Sequence, residues 1–176
     1  MSIAIRPATG GDIAALDALL RTVFPAPDEA LLVQRLCLSG DMVLTLIADD
    51  EDSGELAGTV VFSRMQVDVA GKAVAAVALA PVAVAPAYRR QGVGEALVEA
   101  GLDHLRQAGV HLCFVLGDPA YYGRFGFAAD WAQGFTSPYA GEHLMALPLQ
   151  GGAMPCGVRG DAVHAPAFAH LGEDQA

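Results

Sequence analysis

Between Pro81 and Gly117 the chain reads as an apolar strand, "PVAVAPAY", an amphipathic helix, "GVGEALVEAGLDHLRQAG", and a second apolar strand, "HLCFVLG". The helix keeps Val98, Gly101, Leu102 and Leu105 on one face and ends at Gly109. A strand, helix, strand unit normally makes parallel neighbours joined by a right-handed crossover. The runs before it, "MVLTLIA", "ELAGTVVFSRM" and "QVDVAGKAVAAVAL", are rich in β-formers and separated by the turn signals "DDEDSG" and "AGK". They predict an antiparallel meander, so the sheet must be mixed.

The remaining segments fit around that sheet. "SIAIRPA" reads as a short strand, and Thr9 and Asp12 stand in capping-box spacing before a helix carrying Ile13, Leu16, Leu20 and Val23. "DEALLVQRLCLSG" starts acidic and stops at glycine, as a second helix should. "PAYYGRFGF" predicts a short helix breaking at Gly126, and "EHLMALPL" and "AVHAPAF" the last strands. With 176 residues, no solenoid repeat and no low-complexity tract, one domain over residues 1–176 is expected. Its class is α/β (α+β), with a mixed, mostly antiparallel sheet and helices on both faces.

Several function classes drop out. The longest apolar stretch, Ala73 to Tyr88, is interrupted by Pro81 and Pro86 and reads as buried strand rather than a membrane span. The start "MSIAIRPATGGDI" has no basic region followed by a long apolar one, so a cytoplasmic location is the expectation. A net charge of −10, with Lys72 the only lysine, argues against a nucleic-acid partner and is compatible with a cationic substrate. Cys37, Cys113 and Cys156 are widely spaced and form neither a disulfide framework nor a zinc site; they are expected to be buried or semi-buried thiols, with no metal. The five histidines show no i, i+4 pair and read as surface or incidental residues.

The turn "APAYRRQGVGEAL" carries the chemistry. Glycines at a helix start let the backbone approach a ligand, and the free first-turn amides and helix dipole favour an anion. Arg89 and Arg90 add positive charge in an acidic chain. A Walker loop needs Lys and Ser or Thr after its last glycine, whereas Glu95 and Ala96 follow Gly94. A dinucleotide fingerprint needs glycine where Leu97 stands. What remains is R-x-x-G-x-G, Arg89 to Gly94, behind Val84, Pro86 and Tyr88.

On these residues the chain resembles the GNAT acetyltransferase superfamily, whose pyrophosphate loop, [Q/R]-x-x-G-x-[G/A], follows a strand often ending V-x-P-x-Y-R. A second motif, Y-x-x-x-G-F, is matched by Tyr122, Gly126 and Phe127. The sequence departs from the family at Asp118 and Pro119, where many members carry an asparagine a few residues before the tyrosine. The resemblance implies acetyl-CoA as cosubstrate, held by backbone groups of Val82, Ala83 and Val84 and by the turn Arg89, Arg90, Gln91, Gly92, Val93, Gly94 and Glu95. It also implies direct transfer to an amine through a ternary complex, with Tyr122 as general acid and Phe125 and Phe127 as packing residues. Homodimers are frequent among similar proteins. Asp28, Glu29, Asp118, Glu142 and His143 are the candidate bases, beside a water chain or an acceptor already neutral in solution. "FPAPDEALL" and the segment from "DWAQGFTSPYAGEH" onward are expected to wall the acceptor pocket. The alternative reading is a non-catalytic acyl-CoA-binding module.

Overall fold

The computed structural model describes residues 2–151 and 153–171; residues 1, 152 and 172–176 of the expected domain lie outside them. The elements run β1 (Ile3–Pro7), α1 (Ile13–Val23), α2 (Asp28–Ser39), β2 (Met42–Asp50), β3 (Leu56–Val69), β4 (Lys72–Val84), α3 (Val93–Gln107), β5 (Leu112–Leu116), α4 (Pro119–Tyr122), α5 (Ala129–Ala132), β6 (Leu144–Pro148) and β7 (Arg159–His164). The seven strands form one mixed sheet in the order β1-β2-β3-β4-β5-β6, with β7 paired to β3. The β4–β5 pair is parallel, as the crossover requires, while β1–β2, β5–β6 and β3–β7 are antiparallel.

The described chain divides into two compact units. One comprises residues up to Phe62, Ala80–Gly101 and those from Pro166. There β1 pairs with β2 from Ile3↔Asp50 to Pro7↔Leu46. Arg6 forks onto both oxygens of Asp12 at 2.9 Å and reaches Asp49 at 2.7 Å. Asp12 also accepts the Thr9 amide at 2.7 Å and its hydroxyl at 3.0 Å, realising the box expected at the start of the first helix. Arg6, then the Thr9 amide, holds the Asp12 carboxyl well below the usual carboxylate range.

In the same unit α3 lies very close to the sheet. A Cβ on Gly101 would fall 2.3 Å from the Phe62 ring, so only glycine admits that ring at the crossing. Leu97 and Val98 beside it are fully buried.

The other unit comprises Ser63–Leu79 and Leu102–Ala165. Its core is the fully buried Leu112, Phe114, Leu144, Met145 and Ala146 of β5 and β6. Gln150 donates to the carbonyls of Val110 at 2.8 Å and Arg106 at 3.0 Å, satisfying acceptors where α3 ends.

Four sequence expectations change. "PVAVAPAY" is not a strand of its own: β4 runs unbroken from Lys72 through Val84, carrying Pro81 inside it. Pro81 has no N–H to give, and the β4–β5 register stops at Leu79↔Val115, two residues earlier. The last strand starts at Arg159 and ends at His164, because Pro166 opens a 3-10 turn, Pro166–His170. Of the cysteines, Cys113 is buried, whereas Cys37 and Cys156 are exposed. Finally, His164 is half-buried rather than freely exposed, and burial lowers its pKa to about 4.

Candidate functional site

The Arg89–Gly94 turn is built by backbone conformation. Arg90 has φ +62° and Gly92 φ +78°, two left-handed residues within three positions, so the chain reverses sharply into α3. Arg90 does this without being glycine, an uncommon conformation that the sequence does not signal. Alternating right- and left-handed residues turn successive N–H groups toward one concavity. The first amides of α3 have no acceptor within the helix, whose first bond runs from Ala96 N to Gly92 O at 3.0 Å. The side chains of Arg89, Arg90 and Gln91 are exposed, Val93 is buried, and Gly94 and Glu95 are half-buried.

Tyr88 fixes this turn from below, a role that sequence reasoning missed. It is buried, and its hydroxyl donates to Asp50 at 2.8 Å and lies 3.3 Å from both Glu55 and Ser53, which come from the end of β2 and the turn after it. The Tyr88 hydrogen bond lowers the Asp50 pKa. Asp50 is six residues beyond Leu44, and nothing local in the sequence marks it as a tyrosine partner.

The tail of β4 leads into the turn. Ala85 N bonds Ala57 O at 2.8 Å, and a Cβ on Gly58 would meet Ala83 O at 2.8 Å, so β3 approaches this stretch as closely as backbone allows. The side chain of Ala83 is buried with Leu20 and Ala30, and Val23, Phe24 and Val33 pack on the same cluster. The connection between α1 and α2 therefore rests on the strand that sequence reasoning assigns to the acetyl group. Val82 and Val84 alternate with Ala83 and are half-buried.

A cavity of about 490 Å³ in this unit lies elsewhere. It is lined by Pro7, Thr9, Ile13, Val33, Met42 and Thr45 among others, at the opposite end of β2 from Asp50 and Tyr88. It contains none of the predicted catalytic or cofactor-binding residues, although Leu20 and Ala30 of the cluster on Ala83 line it, Ala30 within the segment expected to wall the acceptor pocket.

In the second unit Tyr122 ends α4. Asp118 caps this helix by accepting the Ala120 amide at 3.0 Å, and Pro119 occupies its first position. The departure from the family pattern at these two residues thus has a local use: the Asp118 carboxylate caps the short helix. Gly126 has φ +98° and closes the following turn. The Tyr122 ring meets Tyr121 edge-on at 5.0 Å and Phe127 at 6.0 Å. Burial, then the neighbouring Tyr121 and Cys113, pushes the Tyr122 phenol up to about 12. Phe125 meets Tyr121, not Tyr122, at 5.6 Å. Among the other candidate bases, Glu142 and His143 pair with each other at 3.5 Å on the surface, and Asp28 is buried in the first turn of α2.

Residues 4–129 match the family model described as an acetyltransferase (GNAT) domain. The chain belongs to the GNAT acetyltransferase family. Over 116 residues it is 46% identical to the N-acetyltransferase YhbS of Escherichia coli (strain K12), covering 66% of this chain and 68% of that relative. The fold agrees: the structure of GNAT family N-acetyltransferase YhbS from Escherichia coli in complex with CoA matches at TM-score 0.87 and 35% identity, over 97% of this chain and 93% of that one. A GNAT family acetyltransferase from Brucella melitensis in complex with acetyl-CoA matches at TM-score 0.76 and 28% identity, over 95% and 98%. The GNAT sheet, mixed and mostly antiparallel, is thus the one the sequence called for. As a GNAT protein the chain is an acyltransferase by family. No described helix is long and apolar enough to cross a membrane, and no described group of His, Cys, Asp or Glu is arranged to hold a metal ion.

Proposed function

We propose that this chain, acting as one domain, is an acetyl-CoA-dependent N-acetyltransferase that moves the acetyl group directly onto a primary amine. The observation that carries the reading is the double left-handed turn at Arg90 and Gly92 directly before a 15-residue helix, a backbone arrangement suited to turning successive amides toward one anion. A pyrophosphate is the anion that suits it, and the two structural relatives bound to CoA and acetyl-CoA support that ligand. Backbone groups of Val82, Ala83 and Val84, beyond the last β4–β5 pair, would then receive the pantetheine arm and polarise the thioester carbonyl.

The neutral amine nitrogen attacks the thioester carbon; the tetrahedral intermediate collapses with cleavage of the C–S bond; the proton of the Tyr122 hydroxyl goes to the departing CoA sulfur. The proton that the acceptor nitrogen sheds converts the resulting Tyr122 phenolate back to the phenol. A phenol at about 12 is a weak acid toward a thiolate. Its value lies in standing protonated at the leaving sulfur, whose own basicity rises in the same desolvated surroundings. An acyl-enzyme on Cys113 is disfavoured because burial pushes its thiol up and away from the thiolate form.

The connection between α1 and α2, packed against Ala83 and carrying Asp28 and Glu29, forms one wall of the acceptor site in this reading. Those carboxylates suit a cationic acceptor. The test is CoA thiol release from acetyl-CoA across a chemically diverse panel of amines. Acceptor-dependent release supports the enzyme; tight acetyl-CoA binding with no release from any amine would replace it with the acyl-CoA-binding module.

A further inference from the structure

Gly117 follows β5 directly, and its backbone asks nothing special of a glycine. Its φ is not positive, unlike Gly109 or Gly126, so any L residue could take the conformation. What forbids a side chain is the Tyr122 ring. A Cβ on Gly117 would stand 2.6 Å from Cε2, 3.2 Å from Cδ2 and 3.7 Å from Cζ, the carbon that bears the hydroxyl. The ring therefore lies edge-on against bare backbone, and its contact is concentrated beside the phenol oxygen.

Neither partner is free to give way. The Gly117 amide donates to His143 O at 3.0 Å, and its carbonyl oxygen is 3.2 Å from His143 Nδ1, so the backbone is held on both sides by the turn that leads into β6. Tyr122 is held through its amide, which donates to Asp118 O at 3.0 Å, and its ring is flanked by Tyr121 and Phe127. Any side chain at 117 would therefore displace the ring by about 0.8 Å to reach ordinary contact at 3.4 Å. Misplacing a reacting group by about 1 Å can cost on the order of a hundredfold in rate.

We propose that Gly117 is a positioning residue for the Tyr122 hydroxyl: its missing side chain sets where the phenol stands, and His143 holds Gly117 in place. This rests on the reading of Tyr122 as the general acid. Gly117→Ala is expected to lower kcat about 10- to 100-fold while leaving the acetyl-CoA Kd within about twofold and the Tm within a few degrees. In the double variant with Tyr122→Phe the loss should not deepen beyond that of Tyr122→Phe by itself, since both act through one hydroxyl. A wild-type kcat in Gly117→Ala, or multiplicative losses in the double variant, would overturn the inference while leaving Tyr122 in the mechanism. A wild-type kcat in Tyr122→Phe would remove the reading and the inference together. Should Gly117→Ala fold poorly, it is expected to fold like Tyr122→Leu when the two substitutions are combined, because no ring edge then meets the new Cβ. Continued misfolding there would show that Gly117 serves something other than the ring.

Discussion

The turn at Arg89–Gly94 and the short helix ending at Tyr122 do their work with opposite materials. The first is backbone: two left-handed residues reverse the chain into the helix, while the exposed side chains of Arg89 and Gln91 fold back onto the carbonyls of Val84 and Ala87. The second is side chain: one phenol wedged among Gly117, Tyr121 and Phe127. A backbone cradle responds to changes in φ and tolerates changes in side chain, whereas a placed hydroxyl is sensitive to displacements well below the width of an atom.

The largest expected effect lies at the phenol. Tyr122→Phe should lower kcat by about 100-fold or more, with acetyl-CoA affinity unchanged; an unchanged kcat would break the comparison by removing the catalytic half. Gly92→Val acts in the other direction. A β-branched residue at φ +78° costs on the order of 1–3 kcal/mol, so the acetyl-CoA Kd should rise about tenfold with kcat at saturation nearly retained. Calorimetric titration with CoA checks it, and retained affinity would show that the turn is not the phosphate cradle.

Smaller effects sharpen the contrast. Tyr88→Phe removes the hydroxyl that Asp50 accepts, so the Tm should drop by about 5 °C and the KM for acetyl-CoA should rise severalfold, without a matching loss of kcat. A fall in kcat instead of a rise in KM would mean that Tyr88 serves the chemistry rather than the turn. The smallest effect is on pH. Tyr122 works as the protonated acid and its pKa is raised from 10 to about 12. Its descending limb in kcat is therefore displaced upward, and the profile should stay flat through pH 10. A limb centred near 10 would place the phenol in water.

The two regions also differ in how far the sequence discloses them. The spacing of Arg89, Gly92 and Gly94 and the Tyr122, Gly126, Phe127 motif were readable because they are local: glycines punctuate, and a motif is a string. The left-handed Arg90 was not, since no residue type announces it. Neither was Tyr88, whose partner Asp50 is 38 positions away. Gly117 looked like an ordinary strand end, because the reason for it is a ring five residues on that only the folded chain brings against it. The meander and crossover were legible from periodicity, but the end of "AVAAVALA" was not a strand boundary. The residues around Pro81 stay extended whether or not they pair with β5, and hydrophobic pattern does not distinguish a paired strand from an unpaired continuation. The exposed Cys37 and Cys156 show the same limit, since residue type predicts burial only on average.

The crossing of Gly101 over Phe62 has a consequence for how this chain could vary. A ring that occupies the space of a missing side chain makes the two positions a lock and its key. Alanine at 101 should be poorly tolerated with phenylalanine at 62, yet nearly harmless beside leucine, so in a library randomised at both positions the survivors should trade volume one for the other.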